Sequence, residues 1–125
     1  MTDPRHALGL RLEAAAAGWL ESAGWHVLAR RARAEGGGEV DIVAIDRDGV
    51  LVAVEVRARR STRTGAAATT VDRQRIVRLR RTLASIGTGS PVPYRGMRID
   101  LVAAEPIPGT ADRWQLQRIP GIDGD

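Results

Sequence analysis

Three carboxylates interrupt two apolar strand patterns between residues 38 and 59 (GEVDIVAIDRDGVLVAVEVRAR). Glu39 and Asp41 lie in the first pattern and Glu55 lies in the second. Strand interiors disfavour acidic residues, and burying an uncompensated carboxylate costs several kcal/mol. These acids therefore need a partner, and the identity of that partner decides what chemistry the stretch can perform.

A tight turn sets the register of the two predicted strands. Arg47-Asp48-Gly49 suits a three-residue hairpin loop with glycine in the left-handed conformation. Counting back from this loop puts Asp41 opposite Glu55 and Glu39 opposite Arg57. Because side chains alternate along a strand, all four are expected on one face of the hairpin.

Two facing carboxylates repel each other, since cross-strand Cβ atoms are only about 4.5 to 5.5 Å apart. A shared proton, a bridging arginine such as Arg57 or Arg59, or a divalent cation could compensate. Mg²⁺ prefers one or two carboxylates together with waters and phosphate oxygens. A metal held by Asp41 and Glu55 would activate water and polarise a phosphodiester. The alternative is a structural ion-pair cluster around Glu39 and Arg57.

The basic residues are all arginine, and they are concentrated in one region. Of the 19, nine lie between residues 57 and 81, where Asp72 is the one acid. Such density predicts a polyanionic partner, most simply nucleic acid, with DNA favoured over RNA. The alternative is a solvated helix face next to a flexible basic loop. The candidate contacts are Arg59, Arg60, Arg63, Arg73, Arg75, Arg78 and Arg81.

The elements that must position these residues follow from periodicity and breaker residues. Asp3-Pro4 reads as an N-cap followed by proline in the first helical turn. The predicted order is α-β-β-β-α-β-β, an α/β fold with a mixed central sheet flanked by helices. The predicted segments are a helix over 4–23, a strand over 25–33, the hairpin, a mobile loop over 61–70, a helix over 71–85, and strands over 97–105 and 113–119.

Length and composition predict one domain over residues 1–120, followed by a frayed tail over 121–125. There is no cysteine, so disulfides and cysteine-based zinc sites are excluded. The start of the sequence lacks the apolar core of a signal peptide, and the apolar runs are too short to span a bilayer. We therefore expect a cytoplasmic protein without membrane contact, and a homodimer would cover the edges of its sheet.

The acidic stretch resembles a known family. The runs G-E-V-D-I-V-A and V-E-V-R-A-R are similar to the motifs of the small bacterial UPF0102 (YraN-like) proteins, in the PD-(D/E)XK nuclease superfamily. The resemblance continues through HALGLRLEAAAAGWLESAGWHVLARR, VDRQRIVRLRRTLA and RIDLVA. It implies a restriction-endonuclease-like αβββαβ core and a role in binding or cleaving nucleic acid.

Matched by position, the resemblance implies functional residues. Asp41 and Glu55 would be ligands of Mg²⁺ or Mn²⁺, and Glu13 on the first helix would be an auxiliary catalytic acid. Glu39 would orient its neighbours, and Asp100 would have a structural or supporting role behind the ligands.

The sequence departs from the superfamily pattern at its lysine, which is Arg57 here. Arginine stays charged, so Arg57 could stabilise a transition state but could not act as a general base. A metal-dependent nuclease that uses Arg57 catalytically is the first hypothesis. The second is a nucleic-acid-binding module with a vestigial site, and the third is an adaptor whose basic helix docks an acidic protein.

Overall fold

The structure, a computed structural model, describes residues 3–59 and 71–124. Within these residues it has two helices and five strands in the predicted order. They are α1 (Pro4–Ser22), β1 (His26–Arg33), β2 (Glu39–Ile45), β3 (Leu51–Ala58), α2 (Arg73–Gly87), β4 (Met97–Pro106) and β5 (Trp114–Ile119). The strands form one open sheet in chain order, parallel between β3 and β4 and antiparallel elsewhere. The predicted α/β class with a mixed sheet is confirmed.

Helix α1 begins and ends where its sequence predicts. The Asp3 carboxylate accepts a hydrogen bond from the Arg5 N–H (3.0 Å), and Pro4 occupies the first turn, where its missing N–H costs nothing. The helix stops before Gly24, which has φ +92°, a left-handed conformation that glycine adopts without strain.

The two helices cover opposite faces of the sheet. Ala16, Ala17 and Leu20 of α1 pack against one set of inward-facing strand residues, and Leu79 and Leu83 of α2 pack against the other. The central strand β3 is thus buried on both sides from Leu51 to Glu55. This double coverage explains its nearly continuous run of apolar residues.

The predicted hairpin between β2 and β3 is confirmed. Gly49 has φ +86° and donates its N–H to the Asp46 carbonyl at 3.1 Å. The ladder then runs from Ile45 opposite Leu51 to Ile42 opposite Val54. This is the register expected from a three-residue loop.

The predicted frayed tail is wrong for the residues after 120 that the structure describes. The Ile122 N–H donates to the Ile99 carbonyl (2.9 Å), and the Ile99 N–H donates to the Asp123 carboxylate (3.1 Å). The β4–β5 ladder starts only at Leu101, so the backbone of Ile99 has no partner in β5. The chain end supplies that partner.

Some sequence predictions lie outside the described residues. These are the mobile loop over 61–70 and the nucleic-acid contacts assigned to Arg60 and Arg63. In the described part of the chain, neither helix combines the length and apolar character needed to cross a membrane.

Candidate active site

Asp41 lies where the β2–β3 ladder stops. Beyond the pair of Ile42 and Val54 the two strands separate, and the Val56 N–H loses a backbone partner in β2. The Asp41 carboxylate replaces it, accepting a hydrogen bond from Val56 at 2.9 Å. A hydrogen-bond acceptor at this point of the strand therefore has a local structural role, separate from any chemistry.

The regular alternation of β2 breaks at the same residue. Strict alternation predicts Val40 on the face of Ile42, but Val40 packs with the α2 cluster while Ile42 packs with the α1 cluster. The expectation that strict alternation holds along the whole of β2 is therefore wrong at Val40. Across from Asp41 in β1 lies Arg31, with φ +51°, a conformation that non-glycine residues seldom adopt. The irregularity lets Asp41 line a cavity beside α1.

Glu55 is held in β3 under helix α2. Only 4% of the residue is exposed, and its Oε2 accepts a hydrogen bond from Arg75 Nε at 2.8 Å. Its other oxygen, Oε1, is buried and has no hydrogen-bond partner among the described residues. A buried carboxylate oxygen with an open coordination position suits a hard cation.

The structure brings Asp41 and Glu55 close enough for their side chains to interact, although the ladder ends one pair before the direct pairing that the hairpin register predicted. Burial and the neighbouring Glu55 carboxylate raise the pKa of Asp41 to about 7, against the lowering effect of the Val56 hydrogen bond. Near neutral pH Asp41 therefore still carries a proton in part of the molecules, and a bound cation would displace it.

Glu13 approaches the pair from α1. It lines the same cavity as Asp41, and its Oε1 is buried without a partner in the described part of the chain. Burial raises the pKa of Glu13, and Arg31 and Arg30 partly oppose that effect. Its position fits the auxiliary role implied by the resemblance.

The donor set of this site is small. Across residues 3–59 and 71–124, no three His, Cys, Asp or Glu side chains are arranged so that they could hold a metal ion. The fit to Mg²⁺ or Mn²⁺ rests instead on Asp41 and Glu55, with the open Glu55 oxygen. Two carboxylates are typical of Mg²⁺ sites in which waters and substrate phosphates complete the coordination.

Glu39 and Arg57 do not face each other across the ladder, because the ladder ends before it reaches them. The expectation that they would is wrong. Glu39 instead forms ion pairs with Arg33 (3.1 Å) and Arg31 (3.7 Å) of β1. Arg57 lies half-buried in β3, aligned with Ala103 of β4.

Asp100 belongs to a different cluster. It is fully buried and accepts hydrogen bonds from Arg98 (2.7 and 3.0 Å), Arg118 (2.9 Å) and the Gly121 N–H (3.0 Å). The guanidinium groups of Arg98 and Arg118 lie 6.0 and 5.2 Å from the ring centre of Trp25. These contacts support the structural part of the expectation, since they tie the chain end to β4.

The arginines of α2 that were predicted to contact nucleic acid divide into two groups, and Arg80 pairs separately with Asp123. Arg73, Arg78 and Arg81 are exposed, and the last two line a cleft of about 340 Å³ beside the glycine loop 36–38. Arg75 turns instead to Glu55. Arg75 therefore belongs to the acidic site, whereas the sequence analysis assigned it to nucleic-acid contact.

Sequence reasoning missed one feature of the site, a cavity of about 480 Å³ next to Asp41. Its walls come from α1, the ends of β3 and β4, and the start of β5. Leu8 and Leu12 belong to the helix predicted over 4–23, and Trp114 belongs to the strand predicted over 113–119. No local pattern indicated that these distant segments would surround a common space.

Comparisons with known proteins give a family and no activity. Residues 12–104 match the model of the Uncharacterised protein family UPF0102. A UPF0102 protein of Bordetella avium (strain 197N) is 41% identical over 103 residues, which are 82% of this chain and 70% of that protein. One of Burkholderia pseudomallei (strain 1710b) is 41% identical over 75 residues, 60% of this chain and 51% of the relative. One of Paracidovorax citrulli (strain AAC00-1) is 45% identical over 76 residues, which are 57% of this chain and 56% of that protein. The matched segment thus spans about half the length of the last two relatives.

Proposed function

The chain belongs to the UPF0102 family, and from this premise we propose that it is a divalent-metal-dependent nuclease of the PD-(D/E)XK type, acting on DNA. The observation that carries the proposal is the pair of the buried Glu55 and the half-buried Asp41, with one Glu55 oxygen that lacks a partner among the described residues, beside a helix rich in arginine.

Asp41 and Glu55 would hold the metal, with Glu13 close enough to influence the charge of Asp41. When bound, Mg²⁺ or Mn²⁺ would activate a water molecule and polarise the phosphodiester. The two carboxylates repel each other, and a bound cation would relieve that repulsion. The Val56 hydrogen bond keeps the Asp41 side chain in position for this role.

Arg75 and Arg57 would supply positive charge near the reacting phosphate. One N–H of Arg75 is used by Glu55, and a guanidinium has five N–H donors, so further donors remain for phosphate oxygens. Fixed cations stabilise the charge that develops on phosphorus in the transition state. Neither arginine can accept a proton, so deprotonation of water depends on the metal and the carboxylates.

The proposal predicts cleavage of DNA by the wild-type protein in Mg²⁺ or Mn²⁺ and none in EDTA. The assay incubates the wild type and Arg57→Lys in parallel with single-stranded, duplex and branched DNA and with RNA. Cleavage by wild type would establish that arginine suffices at position 57. Cleavage by Arg57→Lys alone, or by neither protein, would contradict the proposal.

A non-catalytic nucleic-acid-binding module is the second candidate, favoured by Arg57 at the position where the superfamily has lysine. In that case binding to nucleic acid survives substitution of Asp41 and Glu55, and no variant cleaves.

Either function requires the exposed arginines of α2 to contact phosphate groups. Arg78→Gln/Arg81→Gln is expected to weaken DNA binding about tenfold near 0.1 M salt. It should also reduce the slope of log affinity against log salt by about 1.5, because each phosphate contact contributes a slope of somewhat less than one. Fluorescence anisotropy at several salt concentrations measures both quantities.

Arg11→Gln/Arg47→Gln is the matched control, since it removes the same charge from exposed positions outside α2. An equal loss of affinity in both double variants would mean that only net charge matters, and would remove α2 as the nucleic-acid surface.

A further inference from the structure

The cavity beside Asp41 has the character of a ligand pocket. It measures about 480 Å³, within the range of small-molecule sites. Leu8, Leu12 and Val56 give it apolar walls, and the indole of Trp114 contributes an aromatic one. It opens next to the proposed catalytic acids, because Asp41 and Glu13 belong to its lining.

The cavity also has charged lining residues, namely Arg5, Glu13, Asp41 and Arg59. Guanidinium groups donate hydrogen bonds and carboxylates accept them. A ligand that carries both acceptors and donors on one edge would therefore find partners for both.

A nucleobase combines these properties: flat apolar faces for Trp114 and the aliphatic walls, and an edge with donors and acceptors. Building on the nuclease proposed above, we propose that this cavity receives one unpaired base of the nucleic-acid strand whose phosphodiester lies at Asp41 and Glu55. A paired base cannot enter, because its edge is engaged and it is stacked in the duplex. The favoured substrates are therefore strands with unpaired nucleotides, such as overhangs and flaps.

The chain has no Phe and one Tyr, so its composition offers few rings for stacking successive bases. A row of aromatic residues is indeed needed to stack several bases along a single strand. A pocket for one base needs a single ring, and Trp114 provides it.

Gly9 offers a way to fill the cavity without disturbing the fold. It lines the cavity from α1, and a Cβ added there meets no atom within 4 Å. Gly9→Leu should therefore be tolerated and should occupy part of the space. Gly18→Leu is the matched control, because Gly18 lies in the same helix, has no atom within 4 Å of an added Cβ, and does not line the cavity. Both changes raise helix propensity equally.

The test measures binding separately from cleavage. DNA carrying fluorescent 2-aminopurine in a short overhang, and a blunt duplex of the same length, are titrated with protein in Ca²⁺. The wild type and Gly18→Leu should bind the overhang about tenfold more tightly than the duplex and change the 2-aminopurine fluorescence. Gly9→Leu should bind both DNAs with the lower affinity that the wild type has for the blunt duplex. Trp114→Leu should lose most of the fluorescence change.

The base pocket would be overturned by any of three results. The wild type binds overhang and duplex equally, it binds neither, or Gly9→Leu keeps the preference for the overhang. Parallel reactions in Mg²⁺ separate this proposal from the nuclease. Selective binding of the overhang without cleavage would overturn the nuclease and leave the pocket. Cleavage of both DNAs at equal rates, unaffected by Gly9→Leu, would overturn the pocket and leave the nuclease.

Discussion

Glu55→Gln and Asp41→Ala are each expected to lower the rate of phosphodiester cleavage at least about a hundredfold. Substitution of residues that merely support metal ligands already costs about 10- to 100-fold in activity or metal affinity, and loss of a ligand should cost no less. Single-turnover cleavage in saturating Mg²⁺ measures the chemical step, and the Mg²⁺-induced rise in melting temperature reports metal binding independently.

The choice of glutamine at position 55 limits the effect of that substitution on folding. Glutamine at position 55 keeps an oxygen that can accept the hydrogen bond from Arg75 and removes the charge. Asp48→Ala is the matched control for loss of an acid, since Asp48 is exposed in the hairpin loop. If Glu55→Gln cleaves at the wild-type rate while remaining folded, the acid pair is not the metal site.

The second large effect concerns stability. Without metal, Asp41→Asn should raise the free energy of unfolding at pH 8 by about 2 kcal/mol. A shift of one pKa unit corresponds to about 1.4 kcal/mol, and the full shift of Asp41 is discounted here for its partial exposure. Asparagine can still accept the hydrogen bond from Val56, while the repulsion from Glu55 is removed.

The pH dependence of this effect has a definite sign. The pKa of Asp41 is raised from 3.8 to about 7 in the folded protein, so between these values the folded state binds a proton that the unfolded state lacks. The contribution of Asp41 to stability is fully present below about pH 4 and is lost as the pH rises through about 7. The difference between Asp41→Asn and wild type should therefore grow over this range and become constant above it.

Urea unfolding in EDTA at pH 5, 6, 7 and 8 measures this difference, with Asp48→Asn as the control. Added Mg²⁺ should then stabilise the wild type at pH 8 and leave Asp41→Asn unchanged. A difference that is independent of pH would show that Asp41 is not held near Glu55 as a strained carboxylate.

Several parts of the fold were predictable because they depend on residues close together in sequence. Asp3-Pro4 and Gly24 mark the two ends of the first helix through local capping. Gly49 sets the hairpin register through its own backbone conformation. With that register, the meeting of Asp41 and Glu55 followed by counting. The mixed sheet followed from the order of the elements.

The remaining features depend on the tertiary structure. The reversal of faces at Asp41 arises where β2 leaves β3 and where Arg31 of β1 has a positive φ, and strict alternation cannot anticipate it. Arg75 reaches Glu55 only because α2 packs over that face of β3, and Asp123 pairs with β4 only because β5 leaves Ile99 unpaired. The sequence by itself determined which acids meet. Long-range packing decided that Arg75 pairs with Glu55 and which cavity lies beside Asp41, because segments distant in sequence must come together to form both.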